Sequence, residues 1–588
     1  MARISPIELK DWQIAREFEK EMLPISEISD NLGILPDELL PYGRNLAKID
    51  YQKVLARTGG KKRAKYINVS GITPTPLGEG KTTSAIGLLQ GLGQIGKKAS
   101  AAIRQPSGGP TFNIKGSAAG GGLAQCIPMA PFSLGMTGDI DAITNAHNLA
   151  MVALTARMQH EFNYDDEILA KRNLTRLDID PEQVELHWVM DFCAQSLRNI
   201  TIGKGGKMDG LEMNSGFNIS VSSELMTILA LSNDLKEMRH RISKIIVAYS
   251  KSGKPVTTAD LEVDGAMCAL MVNTLNPSLI QSLEGQPVFV HAGPFANISI
   301  GQSSVIADKL AVALSDYHIT ESGFGADIGY EKFWNLKCRY SGLTPDAGVV
   351  IATVRALKSH GGGPEIKATG KLDEAYTTSR PDLVEAGCEN LAAHIDTIKK
   401  SGIRPVVCIN AFYTDSKDEI DVIKKAAEAN GAYVAQSDHW LKGGEGAIEL
   451  AEAVIAATEE PNNFKCLYET DASTTEKIEL IAKEVYGADG VSYSEKAQSK
   501  LDKIAKDPNL AKSSICIAKT QMSISHDPKL KGRPTGWTLP VQDIMIYAGA
   551  ELVVPVTGSI KLMPGTGSNP AFRGIDVDTD TGEVTGMF

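Results

Sequence analysis

Tyr66-Ile67-Asn68-Val69-Ser70-Gly71-Ile72 is an apolar run that ends in Thr75-Pro76-Leu77-Gly78-Glu79-Gly80-Lys81-Thr82-Thr83. The first segment reads as a buried strand, the second as a Gly-rich turn, and Thr82 to Leu92 as the helix that follows. Strand, Gly loop and helix in that order open a parallel α/β sheet. The same order is the context a phosphate-binding loop requires. Glycines let backbone N–H groups approach phosphate oxygens, and the helix start adds partial positive charge. In this reading Lys81 reaches the β and γ phosphates of ATP and the Thr82 hydroxyl ligates Mg²⁺. Thr75 stands where the usual motif has its first Gly. Glu79 is expected to be solvated or to face Mg²⁺-bound water. The alternative is a plain Gly turn before a surface helix.

Outward from this unit, short apolar runs recur at 244–249, 287–290, 348–353 and 405–410, with amphipathic helices between them at 222–231 and 420–429. The pattern predicts an α/β fold with a P-loop-type, mostly parallel sheet flanked by helices, plus two smaller domains. The first sixty residues are helical in pattern. Gly361 to Arg380 and residues 461–465 read as seams. Together they predict three domains: 1–365 for nucleotide, 366–462 as a second α/β unit, and 463–588 as an α+β unit. A chain of 588 residues has room for three or four domains at roughly 150 residues each.

Composition narrows the function classes. Hydrophobic residues make up 43% and charged residues 22%, ordinary globular values. Lys plus Arg is 60 against 71 for Asp plus Glu, a net charge of −11, so a nucleic-acid partner is not expected. No apolar run approaches the ~18 residues of a membrane span. The beginning lacks a basic-then-apolar leader, and the eight Cys are scattered. Both point to a cytoplasmic chain with reduced thiols. The ten His include no paired-ligand spacing. His147, His160 and His439 each read as a hydrogen-bonded structural His.

A second Gly-rich segment, Arg104 to Pro110 and then Lys115 to Gly122, follows room for one more strand. That puts Arg104 at the carboxyl end of a sheet, where open α/β folds bind ligands. Its fork suits a carboxylate or an acyl phosphate. A structural salt bridge is the other reading, and the sequence does not choose.

Through these two segments, the chain resembles the formate–tetrahydrofolate ligase family along essentially its whole length. The likeness includes Thr137-Gly138-Asp139, Gly293 to Ile298, Gly323 to Asp327, Ala352-Thr353-Val354-Arg355-Ala356-Leu357, Gly443 to Gly446 and Ala518 to Gln521. The resemblance implies an ATP-dependent ligase in which formate attacks the γ-phosphate and tetrahydrofolate N10 takes the formyl group. It implies that Lys81 holds phosphates, Arg104 clamps formyl phosphate, and Phe412 and Trp440 stack on the pterin. Asp139 and Lys115 match without an assigned role. It also implies a homo-oligomer, a dimer or tetramer. Without it, each aromatic reads as core.

The resemblance breaks at polar positions. Gln105 replaces a Glu that resembles a monovalent-cation ligand, which weakens such a site. Other breaks fall at Gly135, Asp141, Thr155, Cys193-Ala194-Gln195, Met213, Asn218, Ile300, Ser303, Ser559 and Thr566-Gly567. These departures read as a remodelled pocket or as a structural network exchanged as a unit. Three functions are therefore weighed: the formate ligase; a diverged paralogue acting on another one-carbon donor, such as a folate-dependent demethylase or deformylase; and a nucleotide- or folate-binding protein without turnover.

Overall fold

The structure is a computed structural model that describes residues 4–115, 118–367, 371–558 and 560–587. The main path of its largest sheet has ten strands: β1 (Leu39–Pro41), β2 (Ala47–Ile49), β3 (Lys65–Gly71), β4 (Ala99–Ile103), β5 (Ser278–Ser282), β6 (Pro287–Val290), β7 (Tyr317–Gly325), β8 (Ala347–Ala352), β9 (Arg404–Asn410) and β10 (Tyr433–Ser437). Their spatial order is β1-β2-β5-β6-β4-β7-β3-β8-β9-β10. Every pair from β6 to β10 is parallel, and the β1, β2 and β5 edge is antiparallel. The mostly parallel α/β expectation holds.

Both faces of this sheet are covered, which is why its strands are continuous apolar runs. Alternate side chains point to opposite faces. Val349 and Ile351 of β8 pack with Leu88 and Leu89 of α1 (Lys81–Gln94). Val350 and Ala352 pack on the other face with Leu391 and Ile395 of the helix Pro381–Lys400. Residues 404–437 supply two strands to the sheet that carries β3 and β8, so it runs across the expected seam at Gly361 to Arg380. Among the described residues of that seam the only regular element is a 3₁₀ turn, Glu374–Tyr376.

Two elements differ from the reading of the sequence. The run 244–249 forms a strand, Ile246–Ser250, in a separate antiparallel sheet with Ile179–Val184 and Pro255–Thr257. Its apolar residues pack into the core between helices, so composition alone resembled a parallel strand. The first sixty residues contain three helices, but also the β1–β2 hairpin at the sheet edge. Lys48 explains the hairpin's place. Its ammonium is buried and paired with Asp139 at 2.6 Å.

Glu224 gives the fold a pH signature. Its buried carboxylate accepts N–H groups from Gly549 at 2.7 Å and Ala550 at 3.0 Å. Burial pushes its pKa up to about 8 from 4.5, against those hydrogen bonds. Between these values the folded chain keeps a proton that the unfolded chain releases. This group's contribution is therefore complete below pH 4.5 and is lost as pH rises towards 8. Glu224→Gln is expected to flatten the slope of melting temperature against pH over that window. Parallel curves for the two proteins would contradict it.

Candidate functional site

The loop between β3 and α1 stands at the carboxyl end of the sheet, as the sequence predicts. Gly78 and Gly80 have φ of +77° and +70°, a region that favours glycine. Gly80 precedes the helix without a side-chain cap, which leaves the first-turn N–H groups facing the loop. Lys81 is half-buried, and no hydrogen bond or ion pair holds its ammonium among the described residues. Burial pushes its pKa down, opposed by Glu79 and Glu321 and assisted by Arg104. Thr82 Oγ1 donates to Glu321 Oε2 at 2.6 Å.

Glu79 corrects an expectation. Its side chain is buried, not solvated or turned to bound water. Oε1 accepts from the N–H and hydroxyl of Thr75, each at 2.7 Å, and Oε2 accepts from the Thr353 hydroxyl. The carboxylate thus closes the loop on itself and ties it to the end of β8. Pro76 follows Thr75 in this turn and is exposed.

Neighbouring strand ends bring the remaining groups. Arg104 follows β4 directly. Its Nη1 donates to the Pro294 carbonyl at 3.2 Å, and its buried Nε has no hydrogen-bond partner among the described residues. Burial pushes its pKa down, and the Glu321 carboxylate opposes that. The structural salt-bridge alternative has no ion pair behind it among the described residues. Gln105 is buried, with Nε2 3.3 Å from the Gly135 carbonyl. Asp139 lies away from the loop in its pair with Lys48. Lys115 ends the π-helical turn Thr111–Lys115, and its side chain lies outside the described residues, as do Gly116, Ser117 and Ser559.

Phe412 and Trp440 follow β9 and β10. Their contacts differ from a simple facing pair. The ring that stacks with Trp440 is Tyr413, with centroids 6.4 Å apart and planes at 25°. Phe412 instead lies under the Arg355 guanidinium, 5.2 Å from its centroid. The Phe412 N–H donates to Asp415 at 2.8 Å, and burial pushes that carboxyl up to about 6. His439, beside Trp440, is buried and bonded to Ser437 at 2.8 Å and Ser84 at 3.2 Å, a structural role. His147 is likewise buried, between the Ser223 hydroxyl and the His187 carbonyl. His160 stacks on Tyr164.

Trp440 is seated by glycine. A Cβ at Gly122, where φ is +56°, would stand 2.7 Å from the indole Cδ1 and closer still to the Trp440 carbonyl. Gly122→Ala is expected to displace the indole and shift its fluorescence, the effect of ~1–3 kcal/mol of overpacking. Unchanged emission would contradict this.

Sequence reasoning missed Glu321, Tyr413 and Arg355. Glu321 lies within β7, two residues before Gly323-Phe324-Gly325, a signal comparable to that of Arg104. Two of the departing segments proved to be neighbours. Thr566 N–H donates to Gln195 Oε1 at 2.9 Å, the Thr566 hydroxyl to the Cys193 carbonyl at 2.7 Å, and Gly567 N–H to Asn113 Oδ1 at 3.1 Å. Positions 193–195 and 566–567 thus form one hydrogen-bonded network.

A family model described as formate–tetrahydrofolate ligase matches residues 9–588. The chain belongs to the formate–tetrahydrofolate ligase family. The family is an enzyme family of carbon–nitrogen ligases. A relative of that name from Desulforapulum autotrophicum is 62% identical over 590 residues, covering 100% of both chains. Another, from Dehalococcoides mccartyi, is 61% identical over 585 residues, covering 100% of this chain and 98% of its own. A third, from Lawsonia intracellularis, is also 61% identical. None of these three bears a demethylase or deformylase name, and the paralogue reading has no finding behind it. Among the described residues no helix is long and apolar enough to cross a membrane.

Proposed function

We propose that this chain joins formate to tetrahydrofolate using ATP. A formate oxygen attacks the γ-phosphorus, ADP leaves, and formyl phosphate forms. N10 of tetrahydrofolate then attacks the formyl carbon and phosphate leaves, giving 10-formyltetrahydrofolate. The observation that carries this reading is the convergence of Lys81, Thr82, Glu321 and Arg104 on adjacent strand ends, beside the aromatic group of Phe412, Tyr413 and Trp440.

The residues would act as follows. Backbone N–H groups from Gly78 to Thr83 and the Lys81 ammonium hold the ATP phosphates and the charge that develops on them. Arg104, with donors to spare, clamps the acyl phosphate. The Thr82 hydroxyl and Glu321 carboxylate are a hard oxygen pair suited to Mg²⁺. Mg²⁺ bound there would neutralise charge on the transferred phosphoryl group. Phe412 and Trp440, with Tyr413, hold the pterin through stacking. Gln105 offers only a neutral oxygen, so a monovalent-cation site is weaker by one charge. Asp139 acts through the fold, and Lys115 is kept as a further phosphate-side candidate. The protein would work in the cytoplasm as a homo-oligomer, checked by light scattering.

Isotope transfer tests the intermediate. With ¹⁸O-labelled formate, one label per turnover is expected in the released phosphate, because the attacking oxygen stays on phosphorus. Unlabelled phosphate would contradict the reading.

A further inference from the structure

Arg355 stands where the two proposed substrate regions meet. It lies in the first turn of the helix Val354–His360, directly after β8. Its Nη2 donates to the Gly78 carbonyl at 2.8 Å and stands 3.9 Å from the Glu79 carboxylate. The Cζ of the same guanidinium lies over the Phe412 ring, 5.2 Å from its centroid. Its Nε is buried and has no hydrogen-bond partner among the described residues. A second tie runs parallel to it. Asn410, two residues before Phe412, donates from Nδ2 to the Glu79 carbonyl at 3.1 Å.

A planar cation can bond a carbonyl with its edge while its face covers a ring, which an ammonium cannot do in one pose. We propose that Arg355 is a positioning residue that couples nucleotide binding to folate binding. The proposal rests on the reading of the loop as the nucleotide site and of Phe412 as part of the folate site. Phosphate drawn onto the loop N–H groups fixes the Gly78 peptide. The Gly78 carbonyl then fixes the guanidinium, and the guanidinium fixes the Phe412 face. The second ligand meets a site already ordered by the first, so the coupling is positive. By linkage the factor is the same in both directions.

The test is calorimetric titration of the whole protein with tetrahydrofolate, with and without saturating Mg²⁺ and ADP, and the reciprocal titration. The wild type is expected to bind each ligand about fivefold or more tightly in the presence of the other. Arg355→Met is expected to bind both, with the factor reduced to about twofold or less. Arg355→Lys keeps a charge near Phe412 without the fork, and is expected to uncouple in the same way. Phe412→Leu removes the other end of the contact and should uncouple too. Independent binding in the wild type, or full coupling in Arg355→Met and Arg355→Lys, overturns the proposal and leaves the two sites standing. A wild type that binds no tetrahydrofolate overturns the folate-site reading along with it.

Discussion

Lys81→Met is expected to lower formate-dependent ADP release by roughly 10²–10³-fold, the effect of removing one preorganised charge donor from a transition state. Among the described residues the Lys81 ammonium has no protein partner, so it is available to phosphate. Arg104 is the other cation that acts on it, and it answers to a different part of the proposed reaction. The loss should therefore not be made good by a neighbour. Methionine keeps the aliphatic stem that packs near Gly71, where a Cβ would stand 3.6 Å from Lys81 Cδ. The lowered pKa means that the fold itself disfavours the cation. The variant should thus melt at or above the wild-type temperature. Activity within tenfold of wild type, or a collapse in stability, would contradict this account of Lys81.

Lys48→Met is expected to have the opposite profile. Lys48 Nζ is bonded to Asp139 Oδ1 at 2.6 Å, the Asn273 carbonyl at 2.9 Å and the Asn276 carbonyl at 3.0 Å. Both members of the ion pair are buried. Removing the cation leaves a carboxylate and two carbonyls without compensation, a cost of about 3–5 kcal/mol for a buried pair broken from one side. Burial already pushes the Asp139 pKa up against the pull of Lys48. The midpoint of urea unfolding should fall steeply. The double variant Lys48→Met with Asp139→Leu should recover part of the loss, since no charge is then stranded. Loss of turnover in Lys48→Met at unchanged unfolding midpoint would instead place Asp139 in the catalytic machinery.

What the sequence disclosed follows from how each signal arises. The parallel strands were legible because both of their faces are buried, which writes them as unbroken apolar runs such as Val406 to Ile409. The turn into the helix was legible because Gly78 and Gly80, both at positive φ, stand just before Lys81, where the helix begins. Ile246–Ser250 misled because a short apolar run does not say which sheet it joins. Glu79 misled because a charged residue amid glycines looks solvent-facing. Its burial depends on Thr353, 274 positions away. Glu321, Arg355 and Tyr413 act through partners that only the fold brings near: Thr82, Gly78 and Trp440. Spacing in the chain carries no trace of such pairs. The Gln195–Thr566 contact belongs to the same class. It joins two of the departures from the family pattern by a hydrogen bond.

The account turns on the reaction itself, and the most direct measurement is ADP release by the purified chain with ATP and Mg²⁺, with formate and tetrahydrofolate added singly and together. The account predicts sustained ADP release only when both are present, with 10-formyltetrahydrofolate formed in equal amount. Tetrahydrofolate binding without formate-dependent ADP release would contradict it.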